Sequence, residues 1–144
     1  MTSSCRSGYF SGMKFTLDAR PGVNLIRAYS ASELRIGERI VVGSCIVTAD
    51  TLITDWPPTA ADELSVAQLQ PLLGLGAQIV LLGADPVMGA PADVRAALAS
   101  QGVALEMMDL GAACRTFNIL VQEERRVAAA LFLKKGPLQE KKAT

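Results

Sequence analysis

The spacing of apolar positions changes near Trp56. Residues 14–18, 25–29, 39–42, 45–48 and 51–54 are short runs rich in β-branched and aromatic side chains, broken at Pro21-Gly22, Gly37 and Gly43-Ser44. Runs of this length separated by turn residues predict hairpin-connected strands, so this half reads as antiparallel sheet. Pro57 and Pro58 then end any pairing, because proline supplies no N–H to a ladder.

Beyond Trp56 the period becomes helical. Ser65 and Gln68 form a capping-box pattern ahead of a face made by Val66, Leu69, Leu72 and Leu73, which stops near Gly74 and Gly76. Residues 78–82 are a continuous apolar run of strand length, as a strand covered on both faces requires. Pro91 opens a second helix with Val94, Ala97 and Leu98 inward, Gly102 ends it, and residues 103–107 give the next strand. Asp109 caps a third helix whose stripe is Leu110, Ala113, Cys114, Phe117, Leu120 and Val121. Residues 127–133 read as a buried last strand. Only a short link precedes it, which predicts that it runs antiparallel to its neighbours, since a parallel return needs a crossover of about a dozen residues.

This alternation predicts an α/β fold in three layers: a central mixed, mainly parallel sheet with an antiparallel last strand, plus a β-rich N-terminal layer. Residues 14–133 form one domain in this reading, with a flexible tail at 1–13 and a charged, flexible tail at 134–144.

Half of the residues are hydrophobic, and 14 basic residues balance 14 acidic ones. Such a chain has enough apolar surface for a core and no basic field for nucleic acid. Histidine is absent, which removes the usual general base and the commonest zinc ligand. Cys5, Cys45 and Cys114 are odd in number and widely spaced, so reduced thiols in a cytoplasmic protein are expected. The polar N-terminus lacks the apolar region of a secretory signal, and no run approaches the roughly 20 apolar residues of a membrane span.

Candidate chemistry is sparse. Gly74-Leu75-Gly76 starts like a dinucleotide fingerprint but precedes a strand where that motif must follow one. The loop from Gly83 through Asp85 does sit between a strand and a helix, where open α/β sheets bind ligands, yet it lacks the lysine of a phosphate loop. Asp55, Asp85 and Asp109 each follow a strand and could gather around a hard cation; turn and cap chemistry accounts for each singly, and no metal or cofactor is assigned. Cys114 gains some activation from the helix start and Arg115, but its place on the apolar stripe points to a buried, inert thiol. Arg115, Asn118 and Gln122 follow at helical spacing and predict one polar ridge. Trp56, in a proline-bounded loop, suits an interface or the end of the core.

The last third carries a resemblance. Residues 106–109, 112–120 and 125–131, Glu-Met-Met-Asp, Ala-Ala-Cys-Arg-Thr-Phe-Asn-Ile-Leu and Arg-Arg-Val-Ala-Ala-Ala-Leu, resemble the signature of a family of small uncharacterised α/β proteins. That family includes the third assembly factor of mitochondrial respiratory complex I and the adipogenesis-associated protein, with bacterial members of undefined role. The resemblance extends over about residues 14–133, with Trp56 and Leu82-Gly83 also fitting. It implies a three-layer fold whose last strand opposes the others, no enzymatic activity, and protein partners. The family often has Gly-Thr-Gly at Gly83-Ala84-Asp85, tyrosine at Phe117 and glycine at Glu124; loss of both hydroxyls weakens a chemical role for the pocket here.

The sequence therefore reads as a cytoplasmic, non-catalytic interaction module or assembly factor with a protein partner, no nucleic acid and no integral membrane segment. The alternative is a small-molecule binder or enzyme using the crevice at the carboxyl ends of the parallel strands. The residues offered for ligand or partner binding are Trp56, Gly83, Asp85, Asp109, Arg115 and Asn118.

Overall fold

A computed structural model describes residues 23–133, Thr59 and Met88 excepted. The strand expected at 14–18 and both expected tails lie outside the described residues. Eight strands occur within them: β1 (Ile26–Tyr29), β2 (Glu33–Ile36), β3 (Arg39–Val42), β4 (Cys45–Val47), β5 (Leu52–Ile53), β6 (Ile79–Gly83), β7 (Ala104–Met108) and β8 (Val127–Leu131). The helices are α1 (Gln70–Leu73), α2 (Ala92–Ser100) and α3 (Leu110–Gln122), with 3-10 turns at Ala61–Glu63 and Ala67–Leu69.

β1, β2 and β3 form an antiparallel sheet, while the central sheet has the order β5-β4-β8-β6-β7. β2 was not among the expected strands, because Glu33 and Arg35 face solvent between the buried Leu34 and Ile36 and only two apolar positions remain. β4 and β5 pair antiparallel as their hairpin spacing predicts, yet they join the central sheet rather than the N-terminal one.

The last strand corrects an expectation. β8 is antiparallel to β4 but parallel to β6, with Ile79 opposite Val127 and Gly83 opposite Leu131. The strand before it is β7, two places away in the sheet, so the crossover is α3 itself, with 13 residues. A short link after α3 therefore permits a parallel return. β4, not β8, is the strand that runs against the rest.

The β6-α2-β7 unit moves outward and β7-α3-β8 moves back across β6, and this reversal puts the two helices on opposite faces of the sheet. On one face α3 and the inner side of the three-stranded sheet share a core containing Ile26, Leu34, Ile36, Val41, Phe117 and Val121. On the other, α2 and the 57–78 segment bury Trp56, Leu69, Leu72, Val94 and Leu98. β8 is buried along its whole length, with Ala129 and Leu131 toward the first core and Ala128 and Ala130 toward the second. Its three alanines let both layers approach the sheet closely.

The helix expected over the Val66–Leu73 region is shorter than its apolar pattern. The capping box forms, with Ser65 N–H donating to Gln68 Oε1 at 3.0 Å and Gln68 N–H to Ser65 Oγ at 3.3 Å. Pro71 lacks the N–H for an i to i−4 bond, so a 3-10 turn precedes a single α-helical turn.

Candidate functional site

Residues after β6 and β7 meet at the start of α3. Asp109 caps the helix as its spacing predicts, its Oδ1 accepting from Ala112 N–H at 2.7 Å, and Asp85 Oδ1 accepts from Leu110 N–H at 3.1 Å. Two carboxylates thus occupy donors of the first helical turn and complement its positive end, each contributing on the order of 1 kcal/mol. The same occupancy leaves little attraction for a bound anion. Asp55 follows β5 at the far side of the sheet, three strand positions from β6, roughly 14 Å at the usual spacing, so it does not join the other two.

Gly83 ends β6 beneath α3. A Cβ there would lie 2.6 Å from that of Ala113 and 3.0 Å from Leu131 Cδ2, so close packing of helix on sheet requires glycine at this position.

Asn118 overturns the expected polar ridge. Arg115 and Gln122 are exposed, but Asn118 is only 4% exposed and turns toward β1. Its Oδ1 accepts from Ile26 N–H at 2.8 Å, and its Nδ2 donates to the Ile26 carbonyl at 2.9 Å. Both hydrogen-bonding groups of the side chain are engaged in holding the N-terminal sheet onto α3. It is therefore removed from the walls of the crevice after β6 and β7.

Trp56 is 5% exposed, which removes it from any exposed patch. The indole packs tilted on Phe132, with centroids 5.3 Å apart, and its Nε1 donates to the Gln68 carbonyl at 3.2 Å. It closes the end of the second core.

Cys114 and Cys45 are both buried in the first core. Burial pushes each thiol up to about 12; at Cys114 the neighbouring Cys45, Asp85 and Asp109 act in the same direction and Arg115 opposes them. Burial and a raised pKa both disfavour the thiolate, the form in which cysteine attacks.

Two arrangements have no signal in the sequence pattern. The Tyr29 hydroxyl sits where a side chain on Gly111 would begin, and Arg115 Nη1 is 3.3 Å from the same point. Asn24 donates from Nδ2 to the carbonyls of Thr48 and Thr51, at 3.0 and 3.2 Å, tying the chain before β1 to the β4–β5 turn. Each joins segments distant in sequence, which periodicity cannot detect.

Two cavities among the described residues lie at the amino ends of the parallel strands, opposite the expected crevice. One, of about 340 Å³, lies between the ends of α1 and α2 and includes Gln78 and Gln101. The other, of about 160 Å³, includes Arg125 and Arg126. No group of three or more acidic or cysteine side chains is disposed to hold a metal among the described residues, and no helix there is long and apolar enough to cross a membrane.

Comparison with known proteins follows the same boundaries. The chain is 32% identical over 114 residues to NADH dehydrogenase (ubiquinone) 1 alpha subcomplex assembly factor 3 of Danio rerio, covering 74% of this chain and 63% of that protein. The counterpart from Xenopus tropicalis is 31% identical over 109 residues, with 74% and 59% covered. The chain thus spans less than two thirds of the curated relatives it matches. Among solved structures, a Xanthomonas campestris protein superposes with a TM-score of 0.71 at 31% identity, over 83% of this chain and 92% of that one. A Mth938-like domain from Bordetella pertussis, 22% identical, shares the fold with a TM-score of 0.73 over 90% of this chain and 98% of its own. The profile of the family described as "Protein of unknown function (DUF498/DUF598)" matches residues 26–132, β1 through the end of β8, and the chain belongs to that family.

Proposed function

We propose that this chain is a non-catalytic, cytoplasmic protein-binding module that assists the assembly of a larger complex. The observation that carries the reading is its similarity, over 74% of its length, to vertebrate proteins named as assembly factors. The fate of its polar candidates supports it: Asp85, Asp109 and Asn118 are engaged in hydrogen bonds within the fold rather than facing a common substrate. A surface suited to a protein partner is the outer face of β3, where Ile40 and Val42 are 56% and 47% exposed opposite Arg35 and Glu33. β3 is an outer strand among the described residues, and β-branched residues on such a strand are a favourable place for another chain to pack.

The test is cross-linking and affinity purification of the tagged chain at its native level, with mass spectrometry of what co-purifies. Subunits of one multi-subunit complex are expected, and their loss from an Ile40→Asp/Val42→Asp variant with an unchanged circular dichroism spectrum. Recovery of the same proteins by both forms removes β3 as the contact face. Normal assembly of that complex in cells lacking the chain removes the assembly role.

A further inference from the structure

The smaller cavity is built from three segments that the fold brings together at the amino end of the sheet. One wall is the turn between β4 and β5, held by Asn24: its N–H donates to the Ala49 carbonyl at 2.8 Å, beside the two bonds from its side chain. Within that turn Thr48 Oγ1 accepts from the N–H groups of Asp50 and Thr51 and donates to Asp50 Oδ1 at 3.0 Å. The opposite wall is Arg125-Arg126. There Arg125 N–H donates to the Leu120 carbonyl at 2.9 Å, and the Arg126 carbonyl accepts from Gln78 and Ile79 at 2.9 and 3.2 Å. Leu75 and Ala77 supply apolar surface between the walls. The cavity is thus fixed by main-chain hydrogen bonds before any ligand arrives.

Its charge is unbalanced. Arg125 and Arg126 line it with one acidic residue, Asp50, whose Oδ1 already accepts from the hydroxyls of both Thr48 and Thr51. The planar donor fork of arginine matches the paired oxygens of a carboxylate or phosphate.

We propose that this cavity binds a small oxyanion, the carboxylate or phosphate group of a metabolite that fits within about 160 Å³. The site shares no residue with the β3 surface, so it stands or falls separately from the protein-binding reading. Arg125 and Arg126 supply the positive charge, and Thr48 and Asp50 form the polar wall that limits the size of the guest.

The experiment is a titration of the full, isotopically labelled chain with sodium phosphate and, separately, sodium succinate, followed by NMR at fixed pH and fixed ionic strength. Saturable shifts are expected at the amides of Ala49, Ala77 and Val127. Arg125→Gln and Arg126→Gln are each expected to weaken binding at least tenfold, the corresponding lysine variants less, and Arg115→Gln not at all. Both arginines are exposed, so the glutamine variants keep the fold, and Ala77→Leu blocks the cavity without altering its charge. Saturation by phosphate alone identifies a phosphorylated guest; saturation by succinate alone identifies a carboxylic acid. Shifts that grow without saturating, or equal binding by the glutamine variants, overturn the proposal.

Discussion

Asn118 gives Ile26 the two hydrogen bonds that a neighbouring strand would otherwise supply. Among the described residues β1 is an outer strand of its sheet, and the N–H and carbonyl of Ile26 both meet the side-chain amide of Asn118, at 2.8 and 2.9 Å. A carboxamide can do this because it carries one donor and one acceptor side by side, as a peptide group does. Asn118→Ala leaves two buried main-chain groups without partners, so a loss of about 2–5 kcal/mol is expected in chemical denaturation. Asn118→Asp retains the acceptor but cannot donate when ionised, and is also expected to destabilise. Hydrogen exchange at the Ile26 amide should accelerate in the alanine variant; unchanged protection would show that the pair does not hold the sheet.

Gly83 and Ala113 define the closest approach of α3 to the central sheet. Adding a methyl at Gly83 places it 2.6 Å from Ala113 Cβ, and overpacking of this kind destabilises by about 1–3 kcal/mol. Gly83→Ala is expected to lower the midpoint of urea unfolding. Ala113→Gly also weakens the helix on its own, but the double variant should lose less than the sum of the two. Strict additivity would place the strain elsewhere.

The buried thiols make stability fall in alkali. Cys45 and Cys114 are held neutral in the fold, with pKa values near 12 against an ordinary 9.0. Below pH 9 both states carry neutral thiols and the contribution is constant. Between pH 9 and about 12 only the unfolded chain ionises, so each thiol lowers stability by roughly 1.4 kcal/mol per pH unit. In a Cys5→Ser background, replacing either buried cysteine by alanine should flatten the stability profile above pH 9. The native protein in that background should also resist thiol reagents at pH 8 and react after unfolding.

Glu124 follows α3 with φ +63°, a left-handed conformation that side chains adopt at a penalty. Glu124→Gly and Glu124→Ala both remove the carboxylate and differ chiefly in backbone freedom. The glycine variant is expected to be more stable than the alanine variant by about 1 kcal/mol, as for glycine at other helix C-termini. Thermal unfolding of the pair checks this, and equal melting temperatures would remove the backbone explanation.

Much of the fold was legible because its signals are local. The strand-helix alternation after Trp56, the Ser65/Gln68 capping box and the Asp109 cap each depend on residues within one turn of each other, and the structure has all three. Pro71 shortened the first helix through a local effect that the apolar face concealed. Asp85 and Asp109 do converge, as residues after adjacent parallel strands must. Asn118 shows where such reading stops: its spacing places it beside Arg115 and Gln122, but an α-helix packed between two sheets has more than one buried side.

The sequence by itself determined the strand-helix alternation after Trp56, the strands β1 and β3, the buried stripe of α3 and the inward Cys114, because hydrophobic period and capping chemistry act over a few residues. Only tertiary structure decided that β8 lies parallel to β6, that β4 and β5 join the central sheet, and that Trp56 is enclosed by Phe132. It also decided that Asn118 serves Ile26, 92 positions away, and that Thr48 and Asp50 face Arg125 and Arg126. These facts depend on which surfaces meet when the layers close, and the free energy of that choice belongs to contacts between segments rather than to any segment alone.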